Sequence, residues 1–153
     1  MKVKVFISVM AVVLGLAVGY YFFRPHTFHG TVIQSPEPSY NFTLTSSSGD
    51  VSLSDYRGKL VVMYFGYTFC PDICPATLAN VGQALRDLGS RADDIQVIMV
   101  SLDPERDTPE KLSDYVNQFH PSMIGITGTK EKLDEVASLY GIFYQKAEGS
   151  DAT

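Results

Sequence analysis

The sequence predicts an α/β domain on a mainly parallel sheet, preceded by an apolar N-terminal segment. Two observations carry this. From residue 60 onward, short apolar runs alternate with segments whose apolar residues recur at helical spacing, the pattern of repeated strand–helix units. The runs Leu60–Phe65 and Ile95–Val100 are continuous, as expected of strands covered on both faces, with Leu60–Phe65 central. With 153 residues and 45% hydrophobic content, the chain suits one domain with a real core.

Residues 1–24 divide from the rest. The run from Val5 to Phe23 carries no charge and is flanked by Lys2, Lys4 and Arg24. That length spans a bilayer core as a helix. A cleavable signal peptide is the rival, with Ala17-Val18-Gly19 as a weak cleavage site, but the apolar run continues through Tyr20-Tyr21-Phe22-Phe23. Those aromatics fit an interfacial belt, and the positive charges place the N-terminus in the cytoplasm. The expectation is a single-pass anchor in the inner (cytoplasmic) membrane with the domain facing a bacterial periplasm. Residues 25–39 hold Pro25, Pro36 and Pro38 and suit a linker. His26 and His29 lie there and are expected to face solvent. The folded domain is then 40–153.

Within that domain, Phe42-Thr43-Leu44 and Val51-Ser52-Leu53 alternate apolar and polar around Ser46–Asp50, a hairpin signal. Ser54–Lys59 returns the chain to the main sheet. After Leu60–Phe65, a helix carries Leu78, Val81, Leu85 and Leu88 on one face and Gly89 as its terminal cap. The strand Ile95–Val100 follows. Thr108-Pro109-Glu110 is a helix start, with Leu112, Tyr115, Val116 and Phe119 on the apolar face. Met123–Thr127 is a short strand. Thr129 caps a last helix bearing Leu133, Val136, Ala137 and Tyr140 and ending at Gly141, and Ile142–Gln145 begins a further strand. Met63, Met99 and Met123 sit in apolar strands and are expected in the core.

Charge narrows the partners. The formal net charge is −5, and Lys2, Lys4 and Arg24 are the only charges in residues 1–24, so the remainder carries −8. That balance argues against nucleic acid and is compatible with a basic protein partner.

The only two cysteines, Cys70 and Cys74, lie between the Leu60–Phe65 strand and the following helix. A helix N-terminus favours thiolate over thiol. With Cys70 on the loop and Cys74 in the first helical turn, both sulfurs can point at one spot, and Pro71 and Pro75 stiffen the entry. Three jobs fit. The pair can hold a soft ion such as Cu(I). It can run thiol–disulfide exchange, although the usual redox spacing is one residue shorter. It can form a structural disulfide, which would close too short a loop to be an effective staple. A structural zinc site is disfavoured for want of four ligands. In parallel sheets, sites form at the carboxyl ends of strands. Ser101-Leu102-Asp103-Pro104 follows the next strand, so Asp103 is a candidate neighbour of the thiols; the alternative is that Asp103-Pro104 merely breaks the strand and Asp107 or Thr108 caps the helix. His120, at a helix end, is read as a dipole partner and not a ligand.

The stretch Phe65-Gly66-Tyr67-Thr68-Phe69-Cys70-Pro71-Asp72-Ile73-Cys74-Pro75, with Ser101-Leu102-Asp103-Pro104-Glu105-Arg106-Asp107-Thr108-Pro109 downstream, resembles the signature of the Sco/SenC family. The resemblance covers residues 36 to 153. It implies a thioredoxin-like fold tethered to an energy-coupling membrane and a copper ion held by Cys70 and Cys74. It implies delivery of copper to, or preparation of, the binuclear copper centre of cytochrome c oxidase. The implied partners are the oxidase subunit carrying that centre and a copper donor or thiol reductant. The family also supplies a third ligand, a histidine in a closing hairpin, beyond Thr153. No histidine follows His120, and the family's hairpin and last helix do not appear, so the expectation is a piece of a longer chain. A truncated form with a two-thiol site is the other explanation.

The competing function is a membrane-tethered thiol–disulfide oxidoreductase acting on oxidase-assembly cysteines through the same Cys70 and Cys74. A peroxidase of the peroxiredoxin kind is disfavoured, because Pro-x-x-x-Thr does not precede Cys74. A signalling or redox-sensing module is a further, non-enzymatic reading.

Overall fold

The structure is a computed structural model that describes residues 2–23, 30 and 39–145, and among helical residues the side chains of 2–5, 8 and 22 lie outside the description. The chain divides into two units, Met1–Pro38 and Ser39–Thr153. His26, His29 and nearly all of the 25–39 linker fall outside the described residues, as do residues 146–153.

In the first unit, helix α1 runs Lys2–Phe23. Phe6, Ile7, Leu14, Leu16 and Tyr20 are all exposed. Among the described residues, no helix is long and apolar enough to cross a membrane.

The second unit opens with a hairpin of β1, Thr43–Ser46, and β2, Gly49–Ser52, paired antiparallel. Its turn is shorter than the sequence suggested. Only Ser47 and Ser48 stand outside the strands, because the Ser46 hydroxyl accepts from the Ser48 amide and donates to the Gly49 carbonyl, closing the turn early. A single 3₁₀ turn, Leu53–Tyr56, leads to strand β3, Leu60–Gly66.

Strand β3 begins the first of three strand–helix units. Helix α2, Ile73–Leu88, ends at Gly89, whose φ of +56° lies in the region a glycine enters without strain. Strand β4, Ile95–Ser101, comes next. Helix α3, Pro109–Asn117, starts where Thr108 accepts from the Lys111 amide. Strand β5, Ile124–Ile126, is followed by helix α4, Lys130–Leu139, which Thr129 caps by accepting from Lys132.

The sheet order is β3-β4-β5, all parallel. The hairpin joins its far side through reciprocal backbone bonds between Thr45 and Thr127, at 2.8 and 2.9 Å. The mixed α/β architecture expected from the sequence is therefore present. One detail differs. The Leu60–Phe65 run is at the edge of the described sheet, and β4 is central. A continuous apolar run reports cover on the faces, which β3 has on both sides. It does not report how many strands lie beside it.

Alternation along β4 divides the core. Ile98 and Val100 pack with Phe42, Leu44, Ile126, Leu133 and Val136 on the side of the hairpin and α4. Val97 and Met99 pack with Leu78, Leu85, Leu112, Val116 and Met123 on the side of α2 and α3. Each such fully buried side chain contributes about 1.5–3 kcal/mol relative to leaving it exposed. Met99 and Met123 are buried, and Met63 packs against the first cluster, as expected. Ile142–Gln145 forms no strand. Phe143 is 91% exposed, and Tyr144 donates to Asp134 instead, since a strand needs a neighbouring ladder that these residues do not meet.

Candidate metal centre

The cysteine loop hangs from the carboxyl end of β3, beside the corresponding end of β4. Gly66 pairs in register with Ser101, and the Leu102 amide donates to the Gly66 carbonyl at 2.9 Å. The two loops expected to be neighbours are therefore side by side. From Gly66 the chain turns through Tyr67–Asp72 into α2, with the Cys70 amide closing toward the Tyr67 carbonyl at 3.4 Å.

Both cysteines are free thiols, Cys70 partly exposed and Cys74 buried. Asp72, the residue before α2, makes no side-chain cap. The Cys70 sulfur takes that place, accepting from the Cys74 amide at 3.5 Å. Burial raises the Cys70 pKa, but the amides of Asp72, Cys74 and Ile73 and the Cys74 thiol outweigh it, so the net shift is downward. Cys74 moves the other way. Burial pushes it up, bonds from the Tyr64 phenol and the Tyr67 amide only partly offset this, and the Cys70 sulfur and its charge add to the rise. The helix-terminus argument thus holds for Cys70 and fails for Cys74, where desolvation wins. Tyr64 is pushed up to about 12 by its own burial and by its bond to Cys74, so it remains a donor to that sulfur.

Gly66 makes the close packing possible. A Cβ there would stand 2.8 Å from the Tyr64 ring and 3.1 Å from the Cys74 sulfur. The Cys74 amide donates to the Cys70 sulfur, and the two cysteines carry no disulfide. Two convergent soft donors of this kind fit a Cu(I) ion. Among the described residues, no group of three or more His, Cys, Asp or Glu side chains is arranged to hold a metal ion. His120 lies at the end of α3, its Nδ1 2.8 Å from the Ser122 hydroxyl.

Asp103 is in the expected loop, but its carboxylate meets the Arg106 guanidinium at 2.5 Å, and none of its bonds reaches a sulfur. The carboxylate that reaches the cysteine loop is Asp107. It is 0% exposed and accepts from the Thr68 amide at 2.9 Å, the Thr68 hydroxyl at 2.5 Å and the Ser101 hydroxyl at 2.6 Å. Thr108, not Asp107, caps α3. The sequence carries a signal for this in Thr68, a hydroxyl two residues before Cys70, but spacing alone does not say which acid it meets. Next to Thr68, the Phe69 ring lies under Arg106 and Lys111, 4.9 and 5.6 Å from its centroid. A shallow pocket of about 340 Å³ opens beside it, lined by Thr68, Phe69, Lys111, Asp114, Tyr115 and Gln118. Tyr67, Phe69 and Ile73 present exposed apolar surface around Cys70.

Several known proteins resemble this chain. The SCO1/SenC family profile matches residues 32–153. The human mitochondrial SCO1 homolog is 40% identical over 106 residues, which is 67% of this chain and 35% of that protein. The chain spans about a third to a little over half the length of the curated relatives it matches. Among solved structures, apo Sco1 from Thermus thermophilus superposes with a TM-score of 0.75 at 43% identity, covering 82% of this chain and 73% of its own. Copper-bound ScoI from Bradyrhizobium japonicum gives 0.70 at 34% identity, covering 75% and 74%. BsSco, a member of the Sco family of cytochrome c oxidase assembly proteins with a disulfide switch, gives 0.61 at 26% identity, covering 75% and 70%. These likenesses give the second unit a thioredoxin-like Sco fold. On the profile match and the shared fold, the chain belongs to the SCO1/SenC family.

Proposed function

We propose that this chain is a copper-binding protein of cytochrome c oxidase assembly, and that Cys70 and Cys74 carry the metal as cargo. The carrying observation is the pair of free cysteines at the β3–α2 turn, with the Cys74 amide donating to the Cys70 sulfur at 3.5 Å. The family's copper-bound members support the choice of metal. Cys70, held toward thiolate by backbone amides, offers the first donor. Cys74 gives up its proton as the ion binds, so uptake releases protons. A two-sulfur site at a surface turn suits delivery of the ion to the oxidase subunit holding the binuclear copper centre, after loading from a donor protein. A third ligand, the family's histidine, would come from outside the described residues.

The setting belongs to the same reading. The uncharged Val5–Phe23 run and its exposed apolar side chains support a single-pass anchor, and Lys2 and Lys4 support a periplasmic domain. Residues 1–24 would then anchor, 25–39 link and 40–153 carry the site. The acidic remainder gives no footing for nucleic acid.

The opposed shifts of the two thiols favour one second reading, thiol–disulfide reduction. The Cys70 thiolate would attack a partner disulfide and release one partner thiolate. Cys74, deprotonated, would then attack the Cys70 sulfur and release the other. The partner is reduced, and the chain is left with a Cys70–Cys74 disulfide for an external thiol reductant to restore.

Competition titration with a chromophoric Cu(I) chelator tests the first reading. One Cu(I) per reduced chain is expected, with loss of at least about tenfold in affinity in Cys70→Ser and in Cys74→Ser. Uptake that survives both substitutions would refute it. Reduction of a disulfide-bonded partner peptide without copper tests the second; no turnover removes it.

A further inference from the structure

We propose that Asp107 is the positioning residue of the cysteine site, holding the turn that presents Cys70 by gripping Thr68. The inference rests on the copper reading for its functional consequence, but its structural basis is independent. Asp107 is a fully buried carboxylate at the junction of two loops. Burying a charge costs several kcal/mol in effective terms, so it persists where its donors are fixed. Two of its three hydrogen bonds come from one residue, Thr68, through both amide and hydroxyl. The third comes from Ser101 at the end of β4, and the Lys111 ammonium lies 3.6 Å away. Asp107 is itself fixed, its amide donating to the Asp103 carbonyl at 2.9 Å.

The grip falls where the loop has little else. Inside the turn, the backbone bond from Cys70 to Tyr67 is long, at 3.4 Å. Phe69 is held from the same side, under Arg106 and Lys111. Residues 68 and 69 are therefore both fastened to the 106–111 segment, and Cys70 leaves that point facing the first amides of α2. With Thr68 released, the Cys70 sulfur can leave those amides and its place beside Cys74. The fold would survive, since neither core cluster includes Thr68 or Asp107.

The test uses the full chain with Thr68→Val, Asp107→Asn and the double variant. Leu133→Ala serves as a variant destabilised in the core away from the loop. Two quantities are measured: Cu(I) affinity by chelator competition, and amide hydrogen exchange across residues 68–74 in copper-free protein. Loss of a hydrogen bond to a charged acceptor predicts about tenfold weaker Cu(I) binding in each single variant. The double variant should be about as weak as the worse single one, because both cut one connection. Exchange at Thr68, Phe69 and Cys70 should quicken while β4 is unchanged. Leu133→Ala should lower Tm and leave Cu(I) affinity within about twofold, since distant sites do not couple.

The proposal is overturned if wild-type chain binds Cu(I) and Thr68→Val binds it equally well, or if Leu133→Ala weakens binding as much as the loop variants. If Asp107→Asn does not fold, Thr68→Val alone decides. If the wild-type chain takes up no Cu(I), the copper reading fails, and the exchange data decide the positioning role: unchanged exchange at residues 68–70 in Thr68→Val overturns it.

Discussion

Cys70 and Cys74 differ by four positions in sequence and by opposite environments in space. Cys70 is lifted into the amides at the start of α2, while Cys74 is 3% exposed beneath Tyr64 and Gly66. The two thiols should therefore ionise in separate ranges. Cys70, with its pKa lowered, is thiolate at lower pH than an ordinary cysteine, and Cys74, with its pKa raised, ionises later. In reduced, copper-free chain, iodoacetamide should modify Cys70 first, with a rate that rises at lower pH than for Cys74. Peptide mapping by mass spectrometry reads this directly. Equal rates, or Cys74 reacting first, would contradict the arrangement. Which residues form the candidate site was half legible. Two cysteines in a 153-residue chain, at a strand-to-helix turn, announce themselves. Asp107 did not, because Asp103 and Asp107 both follow the same strand and only the folded loop shows which carboxylate turns inward.

At the scale of elements, the caps were plain in the sequence. Thr108, Thr129 and Gly89 stand where the helices begin and end, because each answers a local need of the backbone. The hairpin turn and the expected strand at Ile142–Gln145 were less legible. The first depends on a side-chain bond from Ser46, and the second on a neighbour to pair with. The β3–α2 connection gives the clearest test. Gly66→Ala places a methyl against Tyr64 and Cys74 at the end of β3. Such overpacking costs about 1–3 kcal/mol. Urea unfolding should show a lower midpoint at unchanged slope, and Cys74 should alkylate faster as its cover is displaced. An unchanged midpoint would mean that the close packing of strand end and sulfur is not what Gly66 provides.

For the whole molecule, the alternation of strands and helices declared the α/β class, and the family motifs declared a thioredoxin-like domain. The order of the strands was not readable, since composition records what covers a strand and not what lies beside it. The assembled unit sets two strand ends together, fastens one loop to the other through Asp107, and leaves one sulfur partly exposed and the other buried beside it in an acidic domain. The central claim is that these two sulfurs hold the copper. Copper K-edge X-ray absorption on the Cu(I)-loaded full chain tests it most directly. The account predicts two sulfur scatterers per copper, falling to one in either Cys70→Ser or Cys74→Ser. Copper surrounded only by nitrogen and oxygen, or a sulfur count indifferent to both substitutions, would contradict it.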